Sequence, residues 1–192
     1  MTGPALLFCA LGLLAAFEKD GLWGYRDAGG KSVIPPRYQV AREFSPEGIA
    51  AVVDDQGWAY IGTAGQLVIR PLVFDNGPDY FQEGLARFTR AGKVGFFDRR
   101  GKVAIEPQYT WAMPFSEGRA AVCEGCTERQ EGEHRSVRGG RWGFIDRRGR
   151  LVIPLKFDEA ASFTKGRARV RLGGRPRYIL LDGSLAPGPA PR

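Results

Sequence analysis

A chain of 192 residues, 43% of them hydrophobic, is long enough to bury the core of one domain and too apolar to stay disordered. Its 27 glycines favour a turn-rich β protein. The net charge of +7 is unevenly held, with 7 Lys/Arg against 10 Asp/Glu in residues 1–89 and 21 against 11 in residues 90–192, a hint about partners and not about fold.

Residues 1–16 stand apart. Ala5 to Ala16 is an apolar run containing Leu6, Leu7, Phe8, Leu11, Leu13 and Leu14, followed by the polar Glu18-Lys19-Asp20. Roughly a dozen apolar residues are too few to cross about 30 Å of hydrocarbon. With the small pair Ala15-Ala16 as a cleavage point, the segment reads as a signal peptide, although no Lys or Arg precedes the apolar run. The alternative is a buried N-terminal segment of a cytosolic protein. Bulky Phe8 before Cys9 argues against a lipoprotein site.

From Leu22 onward one phrase recurs. It opens at Trp23, Trp58, Val94 and Trp142, and in each copy an Ile falls 11 residues later, at Ile34, Ile69, Ile105 and Ile153. The clearest copy, Trp142-Gly-Phe-Ile-Asp146 followed by Leu151-Val-Ile153, has the alternation and β-branched residues of a hairpin. Asp27, Asp98 and Asp146 precede the turn glycines Gly30, Gly101 and Gly149, with Gly65 at the same place in the second copy. An Asp there accepts bonds from turn amides, and the Gly takes the left-handed conformation, so these acids are turn formers in preference to a catalytic ladder. Each copy continues to an aromatic (Tyr38, Phe74, Tyr109, Phe157), then to a Phe with a Gly shortly after (Phe44/Gly48, Phe81/Gly84, Phe115/Gly118, Phe163/Gly166) and to an alternating strand.

The repeats occupy about 22–55, 57–91, 93–122 and 141–172, with a partial copy at 175–187. Together they predict an all-β domain over 17–187: tandem antiparallel β-meanders with about three strands per unit of about 36 residues, stacked as an open solenoid-like array or closed as a small β-propeller. Residues 188–192, within the tail Ala-Pro-Gly-Pro-Ala-Pro-Arg, read as disordered.

The Trp-Gly-Phe-Ile-Asp box, the Gly-Lys/Arg turn, the Ile-Pro step and the Phe-x-Glu-Gly box resemble the tryptophan–glycine (WG) repeat family over residues 22 to about 187. Val94 for Trp, Ala59 for Gly, Gly62 for Asp and Lys165 for Glu depart from the pattern as repeat drift. The resemblance implies a bacterial, often exported, non-catalytic array without a defined substrate.

The insertion 123–140 lengthens a tight turn with polar residues and holds Cys123, Cys126 and the single histidine, His134. The cysteine pair is a local disulfide, two free thiols, or half of a metal or redox site that lacks a second Cys/His pair. His134 reads as a solvated loop residue. Trp23, Trp58 and Trp142 share one repeat position and read as core, whereas Trp111 lies outside it and is either a contact residue or packing over a loop. On the last full strand, Arg167, Arg169 and Arg171 alternate with Ala168, Val170 and Leu172; Arg119 matches Arg167 in the third repeat, and Arg87 matches Arg169 in the second. That ladder is either a charged edge that deters aggregation or an anion-binding face. No cofactor and no catalytic or metal site is expected. The function expected is a non-enzymatic binding or scaffolding module in the cell envelope (secreted or periplasmic), its partner a protein or an anionic envelope component. The alternative is polyanion or nucleic-acid binding through the basic C-terminal half, nucleic acid being disfavoured by export.

Overall fold

In the computed structural model the chain is all-β, and among the described residues there is no helix. The structure describes residues 14–74, 76–131 and 134–187; most of the apolar leader and the tail 188–192 lie outside them. Contacts divide the chain into two compact bodies, Met1–Ile69 and Arg70–Arg192.

The first body holds two antiparallel sheets. One is β1 (Ala15–Lys19), β2 (Leu22–Arg26) and β3 (Ser32–Tyr38); the other runs β4 (Val40–Ala41), β5 (Ile49–Asp54), β6 (Gly57–Gly62) and β7 (Leu67–Ile69). Ala15 and Ala16, read as the cleavage point, begin β1 and face Arg26 and Tyr25. The second body begins with the small pair β8 (Val73–Phe74) and β9 (Gly77–Pro78), then the sheet β10 (Leu85–Arg90), β11 (Lys93–Asp98) and β12 (Val103–Tyr109). It continues with β13 (Trp111–Ala112), β14 (Arg119–Glu131), β15 (His134–Asp146) and β16 (Leu151–Phe157), and ends with β17 (Glu159–Ala160), β18 (Arg167–Leu172) and β19 (Arg175–Leu180). None of these sheets closes into a barrel.

The constant spacing seen in the sequence is a strand register. The opening residues Trp23, Val94 and Trp142 face the later aromatics Tyr38, Tyr109 and Phe157, and two residues on Tyr25, Phe96 and Phe144 face Ile34, Ile105 and Ile153. A bulge separates the two pairs, and the box glycine sits in it. A methyl group on Gly143 would meet the backbone of Ile153 to Leu155 within 2.9 Å, and Gly24 and Gly95 face the same obstacle. The second repeat tolerates Ala59 because β7 ends at Ile69, where the other three repeats run a seven-residue strand.

At the turn, Asp27, Asp98 and Asp146 each accept amide bonds from the residues two and four later, over 2.9–3.0 Å. Where Gly62 replaces the Asp, the Gln66 side chain fills the space and accepts from Ala64 N–H at 3.2 Å. The two changes compensate each other. The turn glycine also carries a contact between repeats: a methyl group on Gly149 would lie 2.9 Å from Ile105 Cγ2, and one on Gly183 would lie 3.1 Å from Ile153.

The Phe-x-Glu-Gly corner is a second link between repeats. Glu83 and Glu117 hold the left-handed conformation, with φ of 51° and 54°. From there Glu83 accepts the Gly118 N–H at 3.1 Å and Glu117 accepts the Gly166 N–H at 2.8 Å, each reaching the same corner of the following repeat.

The sheets do not coincide with the sequence repeats. The sheets built on β5–β6, β10–β11, β14–β15 and β18–β19 each join the closing strand of one repeat to the box of the next, as with Ile49 facing Gly62 and Leu85 facing Asp98. The deepest repeat position is Tyr25, Phe96 and Phe144, each at most 1% exposed and packed against its corner Phe, edge-on for Phe44 and Phe115 and tilted for Phe163. The opening position is less uniform, with Val94 and Trp142 buried and Trp23 and Trp58 half-buried.

The insertion is not a loop. It extends β14 and β15 into a two-stranded arm, paired continuously from Cys126 facing Gly139 to Glu131 facing His134, so His134 begins a strand.

Candidate functional site: a groove beside Trp111

Trp111 enters the structure on β13, the two-residue edge strand that pairs with β14 (Trp111 facing Cys123, Ala112 facing Val122). It is half-buried and packs against both core clusters of the second body. A cavity of about 630 Å³ lies beside it, with Tyr80, Met113, Pro114, Trp142 and Glu159 in its lining. A second of about 470 Å³, lined by Pro71, Thr89, Arg90 and Thr110, shares Trp111 and Val137 with the first. Val137 belongs to the arm, so the arm forms a wall of both.

Two of the charged residues in the first cavity's lining are buried. Arg87 is 2% exposed and Asp79 is 3% exposed, and a charge so placed persists only when paired. The pairing is bidentate: Arg87 Nε donates to Asp79 Oδ2 at 2.9 Å, and Nη2 donates to Oδ1 at 2.6 Å. Nη1 donates to the Ala112 carbonyl at 2.8 Å, and the guanidinium carbon lies 5.8 Å from the centre of the Trp111 ring. The pair thus ties β10 to β13 beneath Trp111. Sequence alternation places Arg87 with the outward arginines; the structure corrects this, since β10 is buried on both faces from Leu85 to Phe88.

Cys123 and Cys126 form a disulfide at the root of the arm, their Cα atoms 6.0 Å apart. Gly125 and Gly140 take positive φ there, at 74° and 68°. Thr110 Oγ1 donates to the Cys123 carbonyl at 2.9 Å and accepts the Cys126 N–H at 3.2 Å. Cys123 is fully buried and faces Trp111 on one side and Trp142 on the other.

The arginine ladder keeps the predicted alternation except at Leu172, which is exposed and not on a buried face. Ala168 and Val170 are buried, Arg169 is exposed, and Arg167 and Arg171 are half-buried. Arg171 lies 3.1 Å from Glu159, while Arg119 is half-buried and donates to the Gly118 carbonyl at 3.1 Å. Trp111 is not brought to this strand; it lies with Arg87 in the groove.

Burial raises the Tyr109 hydroxyl above its usual range, with nearby Glu124 adding to the effect. Burial pushes Asp146 up, but its bonds from Arg150 and Arg148 outweigh that and hold its carboxyl below the usual range. Among the described residues, no group of three or more His, Cys, Asp and Glu side chains is placed to hold a metal ion.

Sequence reasoning found Trp111 but missed Asp79, Arg87 and Tyr80 as its neighbours. The available signal was an Arg inside the otherwise apolar run Leu85-Ala-Arg-Phe88, eight residues after an Asp.

No curated protein matches the chain. A solved structure described as "Crystal structure of the eukaryotic initiation factor" superposes over 91% of this chain with 16% identity and a TM-score of 0.38. This chain spans 52% of that one, about half its length. The WG containing repeat matches at residues 23–58, 58–93, 95–125 and 142–175, leaving out most of the arm. With the box register and the corner links recurring across most of its length, the chain belongs to the WG containing repeat family.

Proposed function

We propose that this repeat array is a non-enzymatic binding and scaffolding module of the bacterial cell envelope, and that its contact region is the groove beside Trp111. One observation carries the reading. The groove is the place in the second body where an aromatic outside the repeat pattern, an exposed Tyr80 and a wall not shared by the other repeats come together. Most of its lining is apolar, and its volume of about 630 Å³ falls within the range of small-molecule sites, about 300–1,000 Å³. An exported location is supported by the apolar leader and by the Cys123–Cys126 disulfide, which suits an oxidising compartment.

The reading is tested by capture from envelope extract with the wild-type chain and a Tyr80→Ala variant. Tyr80 is 63% exposed, so its loss leaves the core intact. Retention of the same molecules by both chains sinks the groove as the contact region. Export is tested by the intact mass of the mature chain, expected to begin near Phe17; a mass starting at Met1 overturns it.

The exposed Arg169, Arg175 and Arg177 favour polyanion binding as a second reading. Retention on a polyanion that falls steeply with salt, and is lost in an Arg169→Glu/Arg175→Glu/Arg177→Glu variant, distinguishes it.

A further inference from the structure

The inference rests on the groove reading above and narrows it to one class of ligand. Most charges that line the two cavities already stand beside opposite charges, Arg87 with Asp79, Glu159 with Arg171, and Arg90 with Glu106, while Glu128 of the arm lies exposed in the lining of the second. A strongly charged ligand therefore finds compensated partners. An extended peptide finds little backbone to pair with. The edge strands that border the groove, β13 and β17, are two residues long, and the Ala112 carbonyl already accepts from Arg87.

The lining instead offers flat apolar faces next to planar polar groups. Trp111 and Tyr80 present rings; Gln82 and Glu159 are exposed beside them; Thr89 and Thr110 lie in the second cavity. Trp142 lines the first cavity too, with its indole N–H itself buried. A neutral molecule with C–H faces and a ring of hydroxyls matches both halves of this chemistry, because its hydroxyls donate and accept while its faces cover indole and phenol. We propose that the groove binds a neutral oligosaccharide. Trp111, shared by both cavities, supports a sugar ring at the middle of the site, and Tyr80 supports one towards its Tyr80 end.

The test titrates the full oxidised chain with neutral gluco-, manno- and chito-oligosaccharides, from disaccharide to hexasaccharide, by tryptophan fluorescence and calorimetry. A parallel titration uses a proline-rich peptide, the competing ligand for an aromatic groove. Affinity is expected to rise with chain length and to change little with salt. Tyr80→Ala is expected to weaken it by about tenfold, and Trp111→Ala to abolish it. Because Trp111 also packs on the core, Tyr80→Ala is the deciding variant. Saccharide binding that is equal in wild type and Tyr80→Ala overturns the assigned site. Peptide binding that depends on Tyr80, without saccharide binding, overturns the ligand class and leaves the binding module standing. Failure of every probe in the panel overturns the ligand class, and joined to identical captures by wild type and Tyr80→Ala from envelope extract it overturns the groove reading as well.

Discussion

Asp146 shows how much a single turn side chain contributes. It is 8% exposed, accepts two turn amides, and lies 2.7 Å from Arg150 Nε. Replacing it with Ala leaves those amides without their acceptor and is expected to cost about 2 kcal/mol in urea denaturation at neutral pH. The pH dependence follows from the lowered folded pKa. The carboxylate's contribution is complete above its ordinary value of 3.8 and disappears as pH falls through the lower folded value. The gap between wild type and Asp146→Asn should therefore be constant near neutrality and close only in strong acid; a gap that closes near pH 6 sinks this account. Gly143→Ala, driven against the Ile153–Leu155 backbone, is expected to cost about 3 kcal/mol. Ala59→Gly, where the returning strand β7 is short and stops at Ile69, should be mild. These positions were legible as a pattern because residue type alone marks a turn. The Gly62/Gln66 exchange was not, since compensation appears only when both side chains are placed.

Among elements, the corner links and the arm differ most from what composition suggests. Glu117 holds a strained φ of 54° in order to reach the Gly166 amide. Glu117→Ala loses the link and keeps the strain, and is expected to lower stability by about 1 kcal/mol. Glu117→Gly loses the link but relieves the strain, and is expected to stay near wild type. Equal losses in both would show that the backbone is not strained. At the root of the arm, the disulfide closes so short a loop that Cys123→Ser/Cys126→Ser should cost less than about 2 kcal/mol of global stability. Hydrogen exchange in 126–139 should accelerate instead, and unchanged exchange there would detach the disulfide from the arm. The arm read as a loop because its sequence lacks the apolar alternation that reveals strands, with Thr127, Glu128, Arg129 and Arg138 all exposed. The groove was illegible for a related reason: the burial of Arg87 is set by β13, Trp111 and the chain carrying Asp79, none of which shows in the alternation of β10.

At the scale of the whole molecule, sheets that straddle sequence repeats leave no repeat able to complete its own sheet. Trp142 is 5% exposed in the second cluster of the second body, and its replacement by Ala is expected to cost about 3–5 kcal/mol. The loss should register in β18 as well as in β14–β16, because one core joins them. A melt unchanged by the substitution would remove the stacking account. The same hairpin arrangement governs the response to force. In the β10–β11 and β18–β19 hairpins the two ends of the ladder lie side by side, Leu85 by Asp98 and Arg167 by Leu180. Tension between those ends strains the ladder bonds in succession and never all together. Stretched by its termini, the second body should therefore open at low force in discrete steps. Each step would release about one repeat, or roughly 12 nm of extended chain. Such an array yields and re-forms in instalments, and behaves as a compliant spacer more than as a rigid strut.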